Sequence, residues 1–465
     1  MSLIKSISGL RGTVGGKIGE TLTPIDVAKF SAGYGMWIKE RHDSPKVVIG
    51  RDARPSGRVF RSIVESTLRA QGIDVVDLGL STTPTVEMAV VNEQAQGGII
   101  LTASHNPSGW NALKLLNENG EFISAEDGKK VLEWAESADL EFVDPKKFGE
   151  YREDDTYIDW HIDQILALDL VNVEAIKAAN FKVAVDAVNS TGGIAVPRLL
   201  KKLNVEVTEL YCEPNGVFPH NPEPLPENIT HICNEIAGGQ YDLGFVVDPD
   251  VDRLVMVCED GVSFGEEYTL VAIADYVLKK KPGNTVSNLS STRALRDVTE
   301  KHGGQYTASA VGEVNVVTEM KAEKAVIGGE GNGGVILPEL HYGRDALAGI
   351  ALFLSHLAEF GKSASMLRST YPSYHISKNK IELDPTLNLD EVLEKLKAQY
   401  AKNKSTTIDG LKIEFDKEWV HLRKSNTEPI IRIYAESESQ STADHLAQKL
   451  MMDIKELISN NGDRI

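Results

Sequence analysis

Two short stretches carry residues whose types and spacing do chemistry. Thr102-Ala103-Ser104-His105-Asn106-Pro107 follows the apolar run Gly98-Ile99-Ile100-Leu101. An apolar run of that length, ended by small and polar residues, predicts a buried parallel strand. Ser104 then lies just past the strand's C-terminal end, where open α/β sheets place their ligands. Pro107 has no amide to donate, so the chain turns there. The second stretch, Asp248-Pro249-Asp250-Val251-Asp252-Arg253, follows the apolar run Leu243–Val247. Three carboxylates at alternate positions of a tight turn converge on one hard dication, and an all-oxygen set suits Mg²⁺. Arg253 stands beside them, placed to hold phosphate. A solvated acidic turn is the alternative, but such turns rarely follow a wholly apolar strand and end in arginine.

Two further clusters suit binding. In Gly328-Gly329-Glu330-Gly331-Asn332-Gly333-Gly334 the glycines permit close backbone approach to a ligand. Glu330 and Asn332 project between them toward sugar hydroxyls or an amino group. In Arg423-Lys424-Ser425-Asn426-Thr427-Glu428-Pro429, with Arg432 beyond, the arginines Arg423 and Arg432 flank the donors of Ser425, Asn426 and Thr427. Guanidinium grips phosphate in a two-pronged fork, so this is a phosphate cradle. Arg11, between Gly9 and Gly12, and Lys114, ten positions after Ser104, are acid/base candidates or plain phosphate contacts.

The elements that must position these groups alternate between strand and helix. Strand Lys46–Gly50, helix Arg58–Ala70, strand Val75–Leu78 and a helix near Val86–Val91 lead to the strand before Ser104. Asn111–Ile123 reads as a hairpin about Asn119-Gly120, a favoured two-residue turn, followed by helix Glu126–Glu136. The pattern restarts: helix Tyr157–Leu168, strand Lys182–Asp186, helix Ile194–Leu203, strand Val205–Tyr211, helix Ile229–Ile236 and strand Leu243–Val247. A third unit opens with a hairpin, Leu254–Phe264, and continues through helix Glu267–Lys280, strand Ala325–Gly328 and helix Asp345–Glu359. After Tyr371-Pro372 come a strand, a helix, paired strands Leu411–Phe415 and Ile430–Glu436, and a closing helix Thr442–Ile458. Alternating units predict doubly wound α/β sheets, and the last unit reads as α+β. The expected domains are 1–153, 154–256, 257–370 and 371–465.

Composition narrows the partners. The 465 residues carry 49 Lys and Arg against 68 Asp and Glu, a net charge of -19. Nucleic acid and anionic membrane both reward a basic surface, so neither is expected as a partner. An anionic substrate must be held by a local cluster of cations against that field. Cys212, Cys233 and Cys258 form no Cys-x-x-Cys pair and read as reduced core residues of a cytosolic, cytoplasmic protein. The apolar run Leu347–Leu354 is too short to cross a bilayer.

Taken together and in this order, the motifs resemble the α-D-phosphohexomutase superfamily of phosphoglucomutases, phosphomannomutases and phosphoglucosamine mutases. The resemblance covers essentially the whole chain. It implies four domains around one central cleft: three related α/β/α units with mixed sheets and a smaller phosphate-binding domain. It implies that Ser104 carries a phosphoryl group, whose oxygen joins Asp248, Asp250 and Asp252 around Mg²⁺. The reaction implied is 1-phosphate/6-phosphate interconversion through a sugar 1,6-bisphosphate that turns end for end. By the same resemblance Arg11 and Lys114 are candidates for acid/base assistance, with Arg253 beside the metal, and His105 and Asn106 support the serine loop. Where typical phosphomannomutase/phosphoglucomutase members place a lysine and a histidine near the sugar, this chain has Asn288 and Glu313. An acidic Glu313 suits the ammonium of an amino sugar, which favours glucosamine phosphate over mannose or glucose phosphate. A sugar phosphatase and a non-catalytic sugar-phosphate-binding protein are the readings from other classes. A monomer and a homodimer are both compatible with the sequence.

Overall fold

The structure, a computed structural model, describes residues 2–6, 9–382, 389–424 and 430–462. The first unit is a seven-stranded mixed sheet. Its strands run, edge to edge, Ile4–Ser6, Gly9–Thr13, Trp110–Leu116, Gly97–Leu101, Lys46–Arg51, Asp74–Leu80 and Tyr151–Glu153. The second sheet orders Leu254–Cys258, Leu243–Val247, Lys182–Asp186 and Glu206–Leu210. The third orders Gly334–Ile336, Ile327–Glu330, Thr285–Asn288 and Tyr306–Ser309.

These three sheets repeat one plan. In each, two parallel strands are joined by a third parallel strand, and a fourth returns antiparallel along the sheet. The link between the third and fourth strands is the Ser104 loop in the first unit and the Asp248–Arg253 loop in the second. In the third it is residues 331–333. A strand that must reverse direction at its C-terminal end cannot continue into a helix, so it leaves a short exposed turn there. That turn is where each unit carries its polar cluster.

The fourth sheet is wholly antiparallel, ordered His375–Glu382, Ile430–Ser437, Trp419–Lys424, Leu411–Glu414 and Lys404–Thr406. Leu450 and Ile454 of the Gln440–Gly462 helix are buried in a core shared with Ile413, Ile431 and Ile433 of that sheet. The second and third units share a single core. At its centre lies the Ala346–Phe360 helix, buried at every position from Ala346 to Leu357. A helix apolar all round must be enclosed, which accounts for the Leu347–Leu354 run. Among the described residues no helix is long and apolar enough to cross a membrane.

Several sequence expectations are extended or corrected. Asn111–Ile123 is a hairpin built into the sheet: Trp110–Leu116 is inserted between Gly9–Thr13 and Gly97–Leu101, and its short return limb is held by the bridge Leu116–Phe122 and by Asn117 N to Glu121 O (2.8 Å) and Ile123 N to Leu115 O (3.1 Å). Leu254–Cys258 pairs on one side with Leu243–Val247 and so belongs to the second sheet, while the expected hairpin forms on its other side through Cys258 N to Val262 O (2.8 Å), Phe264 N to Met256 O (2.9 Å) and the bridge Val257–Ser263. Leu411–Glu414 and Ile430–Ser437 do not pair directly, because Trp419–Lys424 lies between them. The strand placed at Ala325–Gly328 runs Ile327–Glu330, so Glu330 ends a strand rather than riding a loop.

Candidate active site

Ser104 sits at φ 48°, in the left-handed region that serine rarely adopts, and is 3% exposed. Its amide donates to Thr102 Oγ1 (2.9 Å), and its hydroxyl donates to Asp248 Oδ2 at 2.7 Å. The backbone of this loop is held by Arg54, whose guanidinium donates to the carbonyls of Ser104, Asn106, Pro107 and Trp110. Asp52 fixes Arg54 in turn (2.9 Å) and accepts from Thr102 Oγ1 (2.7 Å). Neither Asp52 nor Arg54 was picked out from sequence. Their signal was nevertheless present: Arg51-Asp52-Ala53-Arg54 follows the apolar run Val47–Gly50 just as the serine motif follows its own.

Asp248, Asp250 and Asp252 are fully buried, and one oxygen of each lies within 4.8 Å of the others. The loop is pinned from three sides. Ser190 and Thr191 donate to Pro249 O, Thr83 N donates to Asp250 O, and Ala346 N donates to Val251 O. Lys114 Nζ reaches Asp250 Oδ2 (2.7 Å) and Asp252 Oδ2 (3.3 Å). Burial opposes the lysine's charge, yet the two carboxylates hold its pKa above the ordinary value. Asp248 is pushed well above the carboxylate range, first by burial and then by Asp252 and Asp250. Burial acts on Asp252 too, but Arg344, Lys114 and Arg253 outweigh it and hold it low. Asp250 Oδ1 and Asp252 Oδ1 have no hydrogen-bond partner although buried. Buried carboxylate oxygens without donors are costly, and three converging carboxylates fit a hard dication such as Mg²⁺.

The third loop joins this centre through Arg344, which the sequence reading also missed. Its Nη2 donates to Asp252 Oδ2 (2.7 Å), its Nε to Glu313 Oε2 (2.8 Å) and its Nη1 to Glu330 Oε2 (3.1 Å). Glu330 Oε1 accepts from Asn288 Nδ2 (2.9 Å) and Gly312 N. Gly333, at φ 88°, accepts on its carbonyl from Leu254 N at 3.0 Å. A Cβ on Gly333 would stand 2.4 Å from Leu254 O, so only glycine lets the two loops meet here. Glu313 does not face the cleft: it is buried and engaged by Arg344, so it is not a direct partner for a substrate ammonium.

One cavity of about 230 Å³ joins all four units. His105 lines it from the first unit, Glu223 and Arg253 from the second, and Asn288, Glu330 and Asn332 from the third. The fourth unit contributes Lys378, Arg423 and Arg432. Arg253 Nη1 pairs with Glu223 (3.3 Å), and Arg423 pairs with Asp409 (2.8 Å). Arg11 donates to Asn106 Oδ1 at 3.0 Å. Burial, with Arg253 and Arg11 nearby, holds His105 neutral, and its Nδ1 has no hydrogen-bond partner. Ser425, Asn426 and Thr427 of the expected cradle lie outside the described residues. Lys378 was missed because a lone lysine on a strand carries no local signal. A larger groove of about 580 Å³ follows the edge strand Glu206–Leu210 and contains none of these groups.

The match to protein families runs the length of the chain. Residues 4–141, 159–261 and 265–374 match the phosphoglucomutase/phosphomannomutase alpha/beta/alpha domains I, II and III, and residues 382–452 match the C-terminal domain. The chain belongs to the phosphoglucomutase/phosphomannomutase family. A protein of Methanopyrus kandleri named probable phosphoglucosamine mutase is 33% identical over 447 residues, covering 96% of each chain. A phosphoglucomutase/phosphomannomutase of Thermococcus kodakarensis is 35% identical over 441 residues, 93% of this chain and 96% of that one. The crystal structure of a phosphoglucomutase/phosphomannomutase family protein from Burkholderia thailandensis superimposes with a TM-score of 0.85. It is 26% identical and covers 98% of this chain and 97% of that one. This family member is therefore a phosphohexomutase, an isomerase of carbohydrate metabolism. Its four domains are the three repeated units and the antiparallel one.

Proposed function

We propose that this phosphohexomutase interconverts the 1- and 6-phosphates of a hexosamine through phosphoserine at Ser104 and a sugar 1,6-bisphosphate, with glucosamine phosphate preferred. The observation that carries the reading is the two-ended cleft. His105 and Arg253, the chain neighbours of Ser104 and of the carboxylate triad it bonds, line one cavity together with Lys378, Arg423 and Arg432 of the fourth unit. A bisphosphate needs both poles at once; a hydrolase needs only one.

Asp248, Asp250, Asp252 and the phosphoserine oxygen would hold Mg²⁺, which supplies charge neutralisation for the transferring group. Lys114 and Arg344 keep the triad in shape and share its charge. The distal arginines hold the sugar's own phosphate and aim a hydroxyl at phosphorus. The hydroxyl oxygen bonds to phosphorus, the bond from phosphorus to Ser104 Oγ breaks, and the hydroxyl proton ends on the released Ser104 Oγ. His105 is not a store for that proton, since burial, Arg253 and Arg11 push its pKa down to about 2 and its Nδ1 is buried. Lys114 is not one either, because its ammonium is committed to two carboxylates. Such catalysis works by position and fixed charge, as phosphoryl transfer requires. After the intermediate turns over, the second phosphate returns to Ser104 by the same route.

Glu330 and Glu267 both line the cavity. Glu330 is taken by Arg344 and Asn288, whereas Glu267 accepts from Thr292 N and is the carboxylate that suits an ammonium at C2. This supports an amino sugar without Glu313. The alternative is a mannose or glucose phosphate mutase. The test compares kcat/KM on glucosamine, mannose and glucose phosphates, with inorganic phosphate followed in parallel. The expected result is glucosamine 6-phosphate and 1-phosphate in exchange, with almost no free phosphate, and no turnover in Ser104→Ala. Stoichiometric phosphate release would make the protein a phosphatase.

A further inference from the structure

Behind the metal loop, four titratable side chains from three units meet. Glu87 lies on the Thr83–Asn92 helix of the first unit and His161 on the Tyr157–Leu166 helix that opens the second. His341 and Asp345 come from the segment leading into the Ala346–Phe360 helix of the third. Both imidazoles turn Nε2 toward the same oxygen, Asp345 Oδ2, His161 at 2.8 Å and His341 at 3.2 Å. Both keep Nδ1 against another oxygen: His161 on Thr85 Oγ1 (2.9 Å), His341 facing Glu87 Oε2 (3.4 Å). The second oxygen of Asp345 accepts from Leu347 N and Ala348 N, which fixes the carboxylate at the start of its helix.

This is the arrangement of a metal centre with its supporting shell. Ligating histidines present one nitrogen to the ion and give the other N–H to an oxygen that sets the tautomer. The ligand atoms His161 Nε2, His341 Nε2 and Asp345 Oδ2 lie within 4.8 Å of one another. Neighbouring ligand atoms around a tetrahedral zinc stand about 3.3 Å apart, so the trio needs only slight widening.

A second observation concerns Glu87. It is 2% exposed, its Oε1 has no hydrogen-bond partner, and its Oε2 faces His341 Nδ1. A Cβ on Gly343 would stand 1.8 Å from Glu87 Oε2, so glycine there leaves the carboxylate its place. Two buried carboxylates, Glu87 and Asp345, thus call for positive charge. A dication with two neutral imidazoles makes the group electrically neutral.

We propose that His161, His341 and Asp345 bind a transition-metal dication of the zinc class, with Glu87 and Thr85 orienting the two imidazoles. Nitrogen ligands separate this centre from the all-oxygen triad of the cleft. Its place gives it a role. The first N–H of the Thr83–Asn92 helix donates to Asp250 O (2.8 Å), and that of the Ala346–Phe360 helix to Val251 O (3.1 Å). An ion here ties together the two helices that grip the cleft's metal loop.

The test uses the full chain, stripped with chelator and returned to excess Mg²⁺ so that the oxygen site is filled. Zinc is then titrated calorimetrically, and cobalt is added to a second sample for its visible spectrum. One equivalent of zinc binds in the wild type and in Asp250→Asn. Glu87→Gln weakens it about 10- to 100-fold, and His161→Gln combined with His341→Gln abolishes it. Cobalt shows the intense bands of a nitrogen-ligated tetrahedral ion. Absence of stoichiometric zinc under Mg²⁺, or zinc lost in Asp250→Asn but kept in the histidine variants, overturns the proposal. Should the histidine variants fail to fold, the cobalt spectrum decides: a weak octahedral spectrum overturns it.

Discussion

Arg344 Nη2 stands 2.7 Å from Asp252 Oδ2, and the same guanidinium holds Glu313 and Glu330 with its other nitrogens. One buried cation therefore joins the metal loop of the second unit to the sugar loop of the third. Removing one partner from a buried ion pair leaves an uncompensated charge and costs about 3–5 kcal/mol. Arg344→Met is expected to lose that much in urea unfolding. Arg344→Lys keeps the charge but not the fork, so stability should fall less while kcat/KM drops with it. A loss below about 1 kcal/mol in Arg344→Met would mean that the three carboxylates do not depend on Arg344.

Arg54 sets the serine rather than touching the substrate. Its donors satisfy four carbonyls of a loop in which Ser104 adopts φ 48°. Lysine at this position supplies a point charge in place of a rigid fork and strands buried acceptors at about 1–3 kcal/mol each. Arg54→Lys is expected to lower kcat at least about tenfold, the effect of roughly 1.4 kcal/mol on the barrier. KM should stay near the wild-type value, because the distal phosphate pole is untouched. Steady-state kinetics give both numbers, and a raised KM with unchanged kcat would place Arg54 in substrate binding instead.

What the sequence made legible was local. Asp248–Arg253 and the Ser104 motif each follow an apolar strand within a few residues, and both lie where that reading placed them. Relationships across units were not legible. Glu313 read as a substrate contact because nothing near it in sequence discloses Arg344, 31 residues on. Leu254–Cys258 read as half of a hairpin because Asp260-Gly261 is a strong turn signal, and that hairpin forms, but its second partner, Leu243–Val247 across the metal loop, was not legible. The strands Thr285–Asn288 and Tyr306–Ser309 are four residues each, too short and too polar to show a period of two.

Val251 tests how strain and burial compete in the metal loop. It is a β-branched residue at φ 63°, with its side chain fully buried in the shared core. Left-handed backbone at such a residue costs about 1–2 kcal/mol, while burying a valine gains about 1.5–3 kcal/mol. Glycine removes the strain but forfeits the burial and frees the unfolded chain. Val251→Gly is expected to be less stable by about 1–3 kcal/mol in urea titration. A more stable variant would show that strain dominates at this turn.

Lys412 makes docking of the last domain pH-dependent. Its side chain is buried, Nζ donates to Leu289 O of the third unit at 2.8 Å, and it lies over the Trp419 ring. Burial drives its pKa down to about 8, although Glu436 and Glu414 pull the other way. A lysine whose folded pKa is lowered sheds its proton before the unfolded chain does. Between about 8 and the ordinary 10.5 the unfolded chain binds the extra proton, so stability rises with pH across that window. Below it, both states are protonated and the folded state bears the cost of a buried ammonium. Lys412→Met has no proton to shed, so the stability of the wild type relative to this variant should climb from pH 8 to pH 10. Parallel urea titrations of the two proteins at both pH values measure that difference directly. A constant difference would mean that Lys412 titrates alike in the folded and unfolded chains.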